Sequence, residues 1–315
     1  MDVLNRPIPT SDSSINTGIA KGKKLKLDEI TGFIIVFDGF KIPKASRSDF
    51  AEALSYLQSK TIAADRYERA YPITNLYDFT DETADPEEKT DGYGDLVGMV
   101  EQPVKFSIMF PNHGIEFHKN MRNTNAYDSF RAYGIARNMI CGYANSDGDL
   151  LPFEMNMFVN RQKIGKKTGD LTMLPAKLSF RDPKAFSTRL DVIEIPEDTD
   201  LENELNGVID LVLSSPALNV VVVEEKGTMT NLYDKFGSVL SKASNWEARD
   251  AITKTAITIS TVVANATHKG FTFTYPSNPN PVEVRTVSPE ALAASFMGSA
   301  TAGGYESDGW CSLGE

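Results

Sequence analysis

The feature that most constrains this fold is a rhythm of short runs rich in β-branched residues between positions 206 and 288. Six runs are separated by turn-forming residues, and one tryptophan, Trp246, stands among them. The runs occupy residues 208–213, 218–223, 246–249, 257–263, 271–275 and 282–285. Short strands at this spacing predict two sheets packed face to face, with Trp246 in the core between them.

This pattern is typical of an immunoglobulin-like β-sandwich, which we expect over residues 206–296. A module of this type binds or packs and carries no chemistry of its own. Trp246 has an alternative interpretation as a platform on which a sugar ring stacks. Its place in the middle of the strand series favours the core.

Composition sets the number of domains and the compartment. A chain of 315 residues predicts two domains. Its longest apolar stretch falls short of the ~18 residues that a bilayer crossing needs, so no membrane partner is expected. The first residues lack the order of a signal peptide, which predicts synthesis and retention in a cytoplasm. Cys141 and Cys311 are too few for a disulfide framework and are expected to be free thiols.

The net charge of -11 argues against a general nucleic-acid binder, because neutralising phosphates requires clustered lysine and arginine. Two basic clusters occur, at residues 21–26 and 161–167. We interpret the first as part of a solvated arm and the second as a hairpin tip. An acidic surface is compatible with a conduit along which DNA slides without specific binding.

The first two thirds of the chain predict a β-rich assembly domain over residues 27–195, preceded by an extended polar arm at 1–26. The domain is expected to be a β-sandwich with one or two flanking helices, so the whole chain is mainly β, a β-rich α+β fold. Predicted strands lie at 31–37, 104–110, 153–159 and 174–180, the last two forming a hairpin, and predicted helices lie at 48–60 and 117–130. Asp49 and Glu52 form a capping-box pattern at the start of the first helix.

Three further segments carry no periodic pattern. Residues 71–98 are polar and acidic and predict a long loop of the sort that usually mediates contacts. Residues 196–205 are acidic, follow Pro196 and predict a linker. Residues 297–315 predict a C-terminal tail.

Motifs for chemistry each have a simpler structural interpretation. Residues 145–149 resemble part of a calcium loop, but they lack the further ligands and predict a turn. His113 and His118 lack the spacing and the third ligand of a zinc site. Nucleophile elbows and nucleotide-binding glycine motifs are absent from the sequence. We therefore predict no catalytic, cofactor-binding or metal-binding residues, and a protein that is not an enzyme.

The order of these elements resembles a known layout. An early strand with an Asp38–Gly39 turn, a capped helix, an acidic loop, a β-rich core and a detachable immunoglobulin-like module follow one another. This is similar to major tail tube proteins of tailed bacteriophages, virion structural proteins that stack as rings and in some members append such a C-terminal domain.

The resemblance implies that residues 27–195 build a ring and residues 206–296 decorate its outside. It implies a self-assembling subunit of the virion, with other virion proteins as partners and DNA only as passing cargo. The arm and the 71–98 loop would then reach neighbouring subunits. The candidate inter-subunit residues are Lys23, Lys24, Lys26, Asp81, Glu82, Glu87 and Glu88.

Other functions remain open from sequence. Immunoglobulin-like domains also occur on phage capsid and decoration proteins, so a capsid or capsid-decoration protein, including a double-barrel coat protein, is the nearest alternative. A surface or fibre adhesin that binds glycan through its C-terminal module is an alternative of another class. A carboxylate-dependent hydrolase is the remotest, because 43 acidic residues single out no pair.

Overall fold

The computed structural model describes most of the chain in two β-rich units. The described residues are 30–74, 76–110, 114–127, 130–136, 139–163, 172–182, 185, 189–196, 198–277, 280–295 and 304–314. The predicted arm at 1–26 lies outside them. The prediction of a mainly β chain is confirmed.

The first unit contains twelve strands and three helices among its described residues. The strands are β1 Ile30–Val36, β2 Tyr71–Ile73, β3 Asp78–Asp81, β4 Glu87–Thr90, β5 Leu96–Val100, β6 Lys105–Phe110, β7 Phe130–Ala136, β8 Met139–Ala144, β9 Leu150–Leu151, β10 Phe153–Val159, β11 Leu174–Phe180 and β12 Leu190–Glu194. The helices are α1 Phe50–Thr61, α2 Ile115–Asn123 and α3 Leu201–Glu204.

Strand pairing rolls this sheet into a closed ring. The order β1-β7-β10-β11-β6 is antiparallel throughout, β2 adds to the free edge of β1, and β3 adds to that of β6. β2 and β3 follow one another along the chain, and two backbone bonds join them to both neighbours: Leu76 N donates to Thr31 O at 2.9 Å and Tyr77 N to Met109 O at 2.8 Å. The apolar core therefore lies between opposite sides of one rolled sheet.

The two faces of β1 serve two different cores. Phe33 and Ile35 point into the rolled sheet, where Phe106 and Phe153 also lie. Ile34 and its alternate neighbours point outward, because successive side chains of a strand face opposite sides. A sheet that is apolar on both faces needs a second cover, which α1 supplies.

Helix α1 confirms the helix predicted at 48–60. Asp49 is its N-cap, and the Asp49 carboxylate accepts the backbone N–H of Glu52 at 2.9 Å. Ala53 and Leu57 have no exposed surface and pack on the outer face of the rolled sheet. The Glu52 carboxylate accepts from the Ser48 hydroxyl, so the capping pattern includes the residue before the N-cap.

Of the other sequence predictions for this unit, two are confirmed and one is partly wrong. The hairpin at 153–159 and 174–180 is confirmed as β10 paired with β11. The turn at 145–149 is confirmed between β8 and β9, where Asn145 N donates to Asp149 O at 3.1 Å. The helix predicted at 117–130 is wrong at its end: α2 stops at Asn123 and Phe130 begins β7. Met121 lies in the core and Phe117 packs against it, so only the first apolar positions follow the helical period.

The predicted linker is also partly wrong. Residues 201–204 form α3, and Leu201 and Leu205 are buried in the core beneath α1. The acidic composition suggested a solvated segment, but two leucines four residues apart lie on one side of a single helical turn. The first unit therefore extends to residue 205.

The second unit contains nine strands and two helices among its described residues. The strands are β13 Val208–Ala217, β14 Val220–Glu225, β15 Trp246–Asp250, β16 Ala256–Ile257, β17 Thr261–Asn265, β18 Gly270–Thr274, β19 Val282–Thr286, β20 Gly304–Ser307 and β21 Cys311–Ser312. The helices are α4 Tyr233–Leu240 and α5 Pro289–Ser295.

The strand order confirms the immunoglobulin-like sandwich. One sheet runs β17-β18-β14-β13-β20 and the other β16-β15-β19-β21. With the strands lettered A to G in chain order, the first sheet is D-E-B-A and the second is C′-C-F-G. The last strand, G, is divided into β20, which pairs with β13, and β21, which pairs with β19. Trp246 lies on the C strand, is 5% exposed and packs edge-on against Phe273 at 4.8 Å between ring centroids.

Two boundaries of this unit differ from the prediction. The run at 257–263 is two strands in different sheets, β16 and β17. The tail predicted at 297–315 is wrong for residues 304–314, because β20 pairs in parallel with β13 and β21 pairs with β19. A small-residue stretch at 297–303 hid this continuation, since its sequence has no strand pattern.

Charged and apolar contacts join the two units at β20. Arg69, which follows α1, is 3% exposed and its guanidinium lies 2.8 Å from the carboxylate of Glu306. Arg66 reaches the same carboxylate at 3.2 Å. A Cβ on Gly304 would lie 3.0 Å from the Ile62 side chain, so the backbone of β20 approaches the first unit closely. The C-terminal strand therefore belongs to the sandwich and also holds the first unit against it.

Candidate assembly surface

A hairpin built from β4 and β5 is the most exposed apolar feature of the described chain. The two strands pair only with each other, in a two-stranded sheet separate from the rolled sheet. Every residue of β4 is exposed. The predicted loop at 71–98 is therefore wrong: the segment contains β2 and β3 of the rolled sheet and most of this hairpin.

The turn of the hairpin is fixed by Asp91. Its carboxylate accepts the backbone N–H groups of Tyr93 and Asp95, each at 2.9 Å, and its own N–H donates to the Asp95 carbonyl at 2.9 Å. Gly94 has a φ of 90°, a left-handed conformation that favours glycine. Local turn chemistry therefore explains why this polar segment folds into a hairpin without burying a core.

The second strand of the hairpin exposes large apolar side chains. Val97 is 69% exposed, and Leu96 and Met99 are each 57% exposed. A two-stranded hairpin is marginally stable alone in water, and unpaired strand edges are templates for pairing with another chain. These residues were not among the predicted contact residues, although a Leu-Val-Gly-Met-Val run inside an acidic segment is a visible signal.

The same region concentrates the negative charge of the chain. Residues 78–101 contain nine acidic residues and one lysine, which accounts for eight of the eleven net negative charges. Charge of one sign around an apolar patch opposes nonspecific aggregation and selects for a basic partner surface. The hairpin thus combines an exposed apolar surface with a concentration of negative charge.

The predicted inter-subunit residues fall into three groups. Glu87 and Glu88 lie on β4 and are exposed beside the apolar strand. Asp81 ends β3, and its carboxylate accepts the N–H of Thr83 at 2.8 Å in a turn. Glu82 pairs with Lys177 of its own chain. Lys23, Lys24 and Lys26 lie outside the described residues.

Glu82 makes an ion pair with Lys177 of β11 at 3.0 Å. The hydrogen bond from Lys177 lowers the pKa of the Glu82 carboxyl from its ordinary value. Both side chains are exposed, so the pair contributes little stability. The structure therefore brings Glu87 and Glu88 to the apolar hairpin and places Asp81 and Glu82 at its root.

Three observations on the described residues concern metal ligands, thiol reactivity and membrane-spanning helices. No group of three histidine, cysteine or acidic side chains within them could hold a metal ion. Burial raises the pKa of the Cys141 thiol to about 12, which disfavours the reactive thiolate. None of the helices in the described ranges has the length and apolarity that a membrane crossing requires.

No protein-family model matches this chain, and no curated protein matches its sequence significantly.

Proposed function

We propose that this protein is a structural subunit that assembles with copies of itself. The observation that carries the proposal is the β4–β5 hairpin, which exposes Val97, Leu96 and Met99 while pairing with no other described strand. Exposed apolar patches on soluble proteins mark interaction sites. A second copy supplies a partner at every ring or lattice position, as homo-oligomers commonly do.

More specifically, we propose a tail tube subunit of a tailed phage, with the rolled sheet forming stacked rings around a DNA channel. Three features support this assignment: the concentrated acidic charge, the rigid β-rich first unit, and a separate sandwich that can decorate the outside. DNA would pass through an acidic channel without specific binding, because like charges repel. In this role the protein is located in the virion and catalyses no reaction.

The hairpin gives a direct test. The double variant Val97→Lys, Met99→Lys places two charges on one face of β5, where both side chains are already exposed. Such surface changes cost little folding stability. We expect a folded monomer that no longer assembles, because moving two lysine ammonium groups out of water into an apolar contact is strongly unfavourable. Sedimentation velocity over a range of protein concentrations measures this.

A matched control separates hairpin contacts from a general charge effect. Leu218→Lys, Val263→Lys adds the same two charges at similarly exposed apolar positions of the second unit. This control should assemble as the wild type does. Assembly of the hairpin variant at wild-type concentrations would refute the role of the hairpin.

A further inference from the structure

The second unit carries a groove beside β15 and β16, lined by residues from both faces of β15. Its volume is about 650 Å³, and its lining combines apolar side chains with polar ones. The apolar lining includes Trp310, Ile257 and Ile259, and the polar lining includes Glu247 and Thr258. An open groove with one aromatic wall and a few polar groups fits a small ligand with both apolar and polar faces.

The crossing of the chain between the two sheets places Trp310 in this groove. Asp308 N donates to Leu211 O at 2.8 Å at the end of β20, and Gly309 then turns the chain with a φ of 89°. Trp310 is the next residue, just before β21. Its ring lies 4.0 Å from the guanidinium carbon of Arg249 and 4.5 Å from that of Arg285.

These guanidinium groups hold the indole in one orientation. Arg249 and Arg285 alternate with buried residues along β15 and β19, so both stand on the solvent side of the sheet. Cation–π contacts of this type stabilise by about 0.5–1 kcal/mol each at exposed sites. Trp310 is therefore a preorganised surface aromatic, which lowers the entropy that binding would lose.

Each cation around the groove already has a carboxylate partner. Arg249 pairs with Glu283 at 2.8 Å and Lys254 with the same carboxylate at 3.2 Å. Arg285 pairs with Glu247 at 2.7 Å. The hydrogen bond from Arg249 lowers the pKa of Glu283, so this carboxyl stays ionised near neutral pH. An anionic ligand would have to displace one of these carboxylates, and a cationic ligand would compete with arginines for the indole.

We infer that this groove binds a neutral saccharide, with a sugar ring against Trp310 and its hydroxyls bonded to Glu247 and Thr258. The C–H face of a sugar ring matches an indole, and sugar hydroxyls both donate and accept. A carboxylate has lone pairs to spare after pairing with one arginine. This site is independent of the hairpin, so the saccharide and assembly proposals fail or stand separately.

Trp246 also lines the groove, but at 5% exposure it offers little surface to a ligand. It is buried, and its indole N–H donates to the Leu240 carbonyl at 2.8 Å. A proline-rich peptide is the competing occupant of an aromatic-lined groove. The groove favours a saccharide because hydroxyl and charge-paired side chains, such as Ser244, Thr258 and Glu247, line it beside Trp310.

Saturation-transfer NMR on the full chain tests the inference with defined probes. The neutral probes are malto-, manno-, cello- and chitohexaose, the anionic probe is a heparin hexasaccharide, and a proline-rich decapeptide is included. At least one neutral hexasaccharide should bind. Trp310→Ala should weaken it about tenfold, since aromatic stacking contributes up to about that factor, whereas Trp310→Tyr should retain most of the affinity.

Thr258→Trp provides a variant that folds independently of the Trp310 contacts, because Thr258 is exposed. The bulky side chain should fill the groove and abolish binding. Leu218→Ala, at an exposed position in the β13–β14 turn of the other sheet, should bind as wild type does. The inference is overturned if no neutral hexasaccharide binds, if only heparin or the peptide binds, or if Thr258→Trp leaves affinity unchanged.

Discussion

At the scale of single residues, the two tryptophans illustrate how context decides the role of a side chain. Trp246 begins a strand between two sheets and is 5% exposed, whereas Trp310 follows a glycine turn and lies on the surface against two arginines. The strand pattern around Trp246 predicted its burial. Nothing local marked Trp310, because its environment is built from residues 25 to 61 positions away in the sequence.

Replacing Trp246 by alanine should destabilise the second unit by about 3–5 kcal/mol, the usual cost of removing a large buried aromatic. The lost contacts include the ring of Phe273 and the hydrogen bond to Leu240. Denaturant unfolding followed by circular dichroism measures this. Trp310→Ala is the matched control and should cost about 1 kcal/mol, mainly from lost cation–π contacts; equal effects of the two variants would contradict the assigned environments.

Glu306 gives a prediction that depends on pH. Burial acts to raise its pKa, but the hydrogen bonds and charges of Arg69 and Arg66 outweigh burial, and the pKa of Glu306 is lowered from its ordinary value. A carboxyl with a lower pKa in the folded state adds stability that is present above its unfolded value of about 4.3. That stability is lost as the pH falls through the folded pKa.

Glu306→Gln should therefore lower the free energy of unfolding by about 1.5–3 kcal/mol at pH 7, the range for a hydrogen bond to a charged group. The difference from the wild type should shrink as the pH falls below about 4, because the wild-type carboxyl is then protonated. Urea unfolding at several pH values measures it. Glu290→Gln, exposed at the start of α5, should show no comparable difference; a wild-type advantage that grows in acid would contradict the pairing.

At the scale of elements, local patterns predicted the strands and helix whose side chains alternate between core and solvent. Helix α1 and the β10–β11 hairpin were found for this reason. The β4–β5 hairpin was missed because its residues are exposed on both faces and therefore lack any alternation. Backbone pairing and the Asp91 turn hold it, and neither leaves a hydrophobic period in the sequence.

Contacts between distant segments account for the remaining differences between the predicted and the observed strands. The rolled sheet closes through β2 and β3, which follow one another along the chain and pair with β1 and β6 respectively. The last strand is divided between two sheets and follows a segment of small residues. Such pairings join residues that are about a hundred positions apart in the sequence, as Val208 and Gly304 are. No local pattern encodes them.

Deleting residues 1–26 should leave a folded protein that does not assemble. Among the described residues, strand β1 begins at Ile30, and residues 30–36 pair with β2 and β7. The arm is proposed to reach a neighbouring subunit, and its lysines Lys23, Lys24 and Lys26 oppose the charge of the hairpin. Circular dichroism and sedimentation velocity test both parts, and unchanged assembly of the truncated chain would count against the arm.

At the scale of the whole molecule, two β units are held together and one hairpin is exposed to solvent. The C-terminal strand completes the sandwich and pairs with Arg66 and Arg69 of the first unit. The proposed stacking with regular geometry would need such a connection, since a free linker would let the sandwich move relative to the first unit. The proposed functions divide accordingly, with assembly in the first unit and saccharide binding in the second.

The central claim is that the chain acts through the geometry of its multimer. Negative-stain electron microscopy of the wild-type protein at increasing concentration measures this most directly. We expect the wild-type protein to form hollow rods or stacked rings. The variant Val97→Lys, Met99→Lys should form neither at the same concentrations. Isolated monomeric particles of the wild-type protein at every concentration would contradict it.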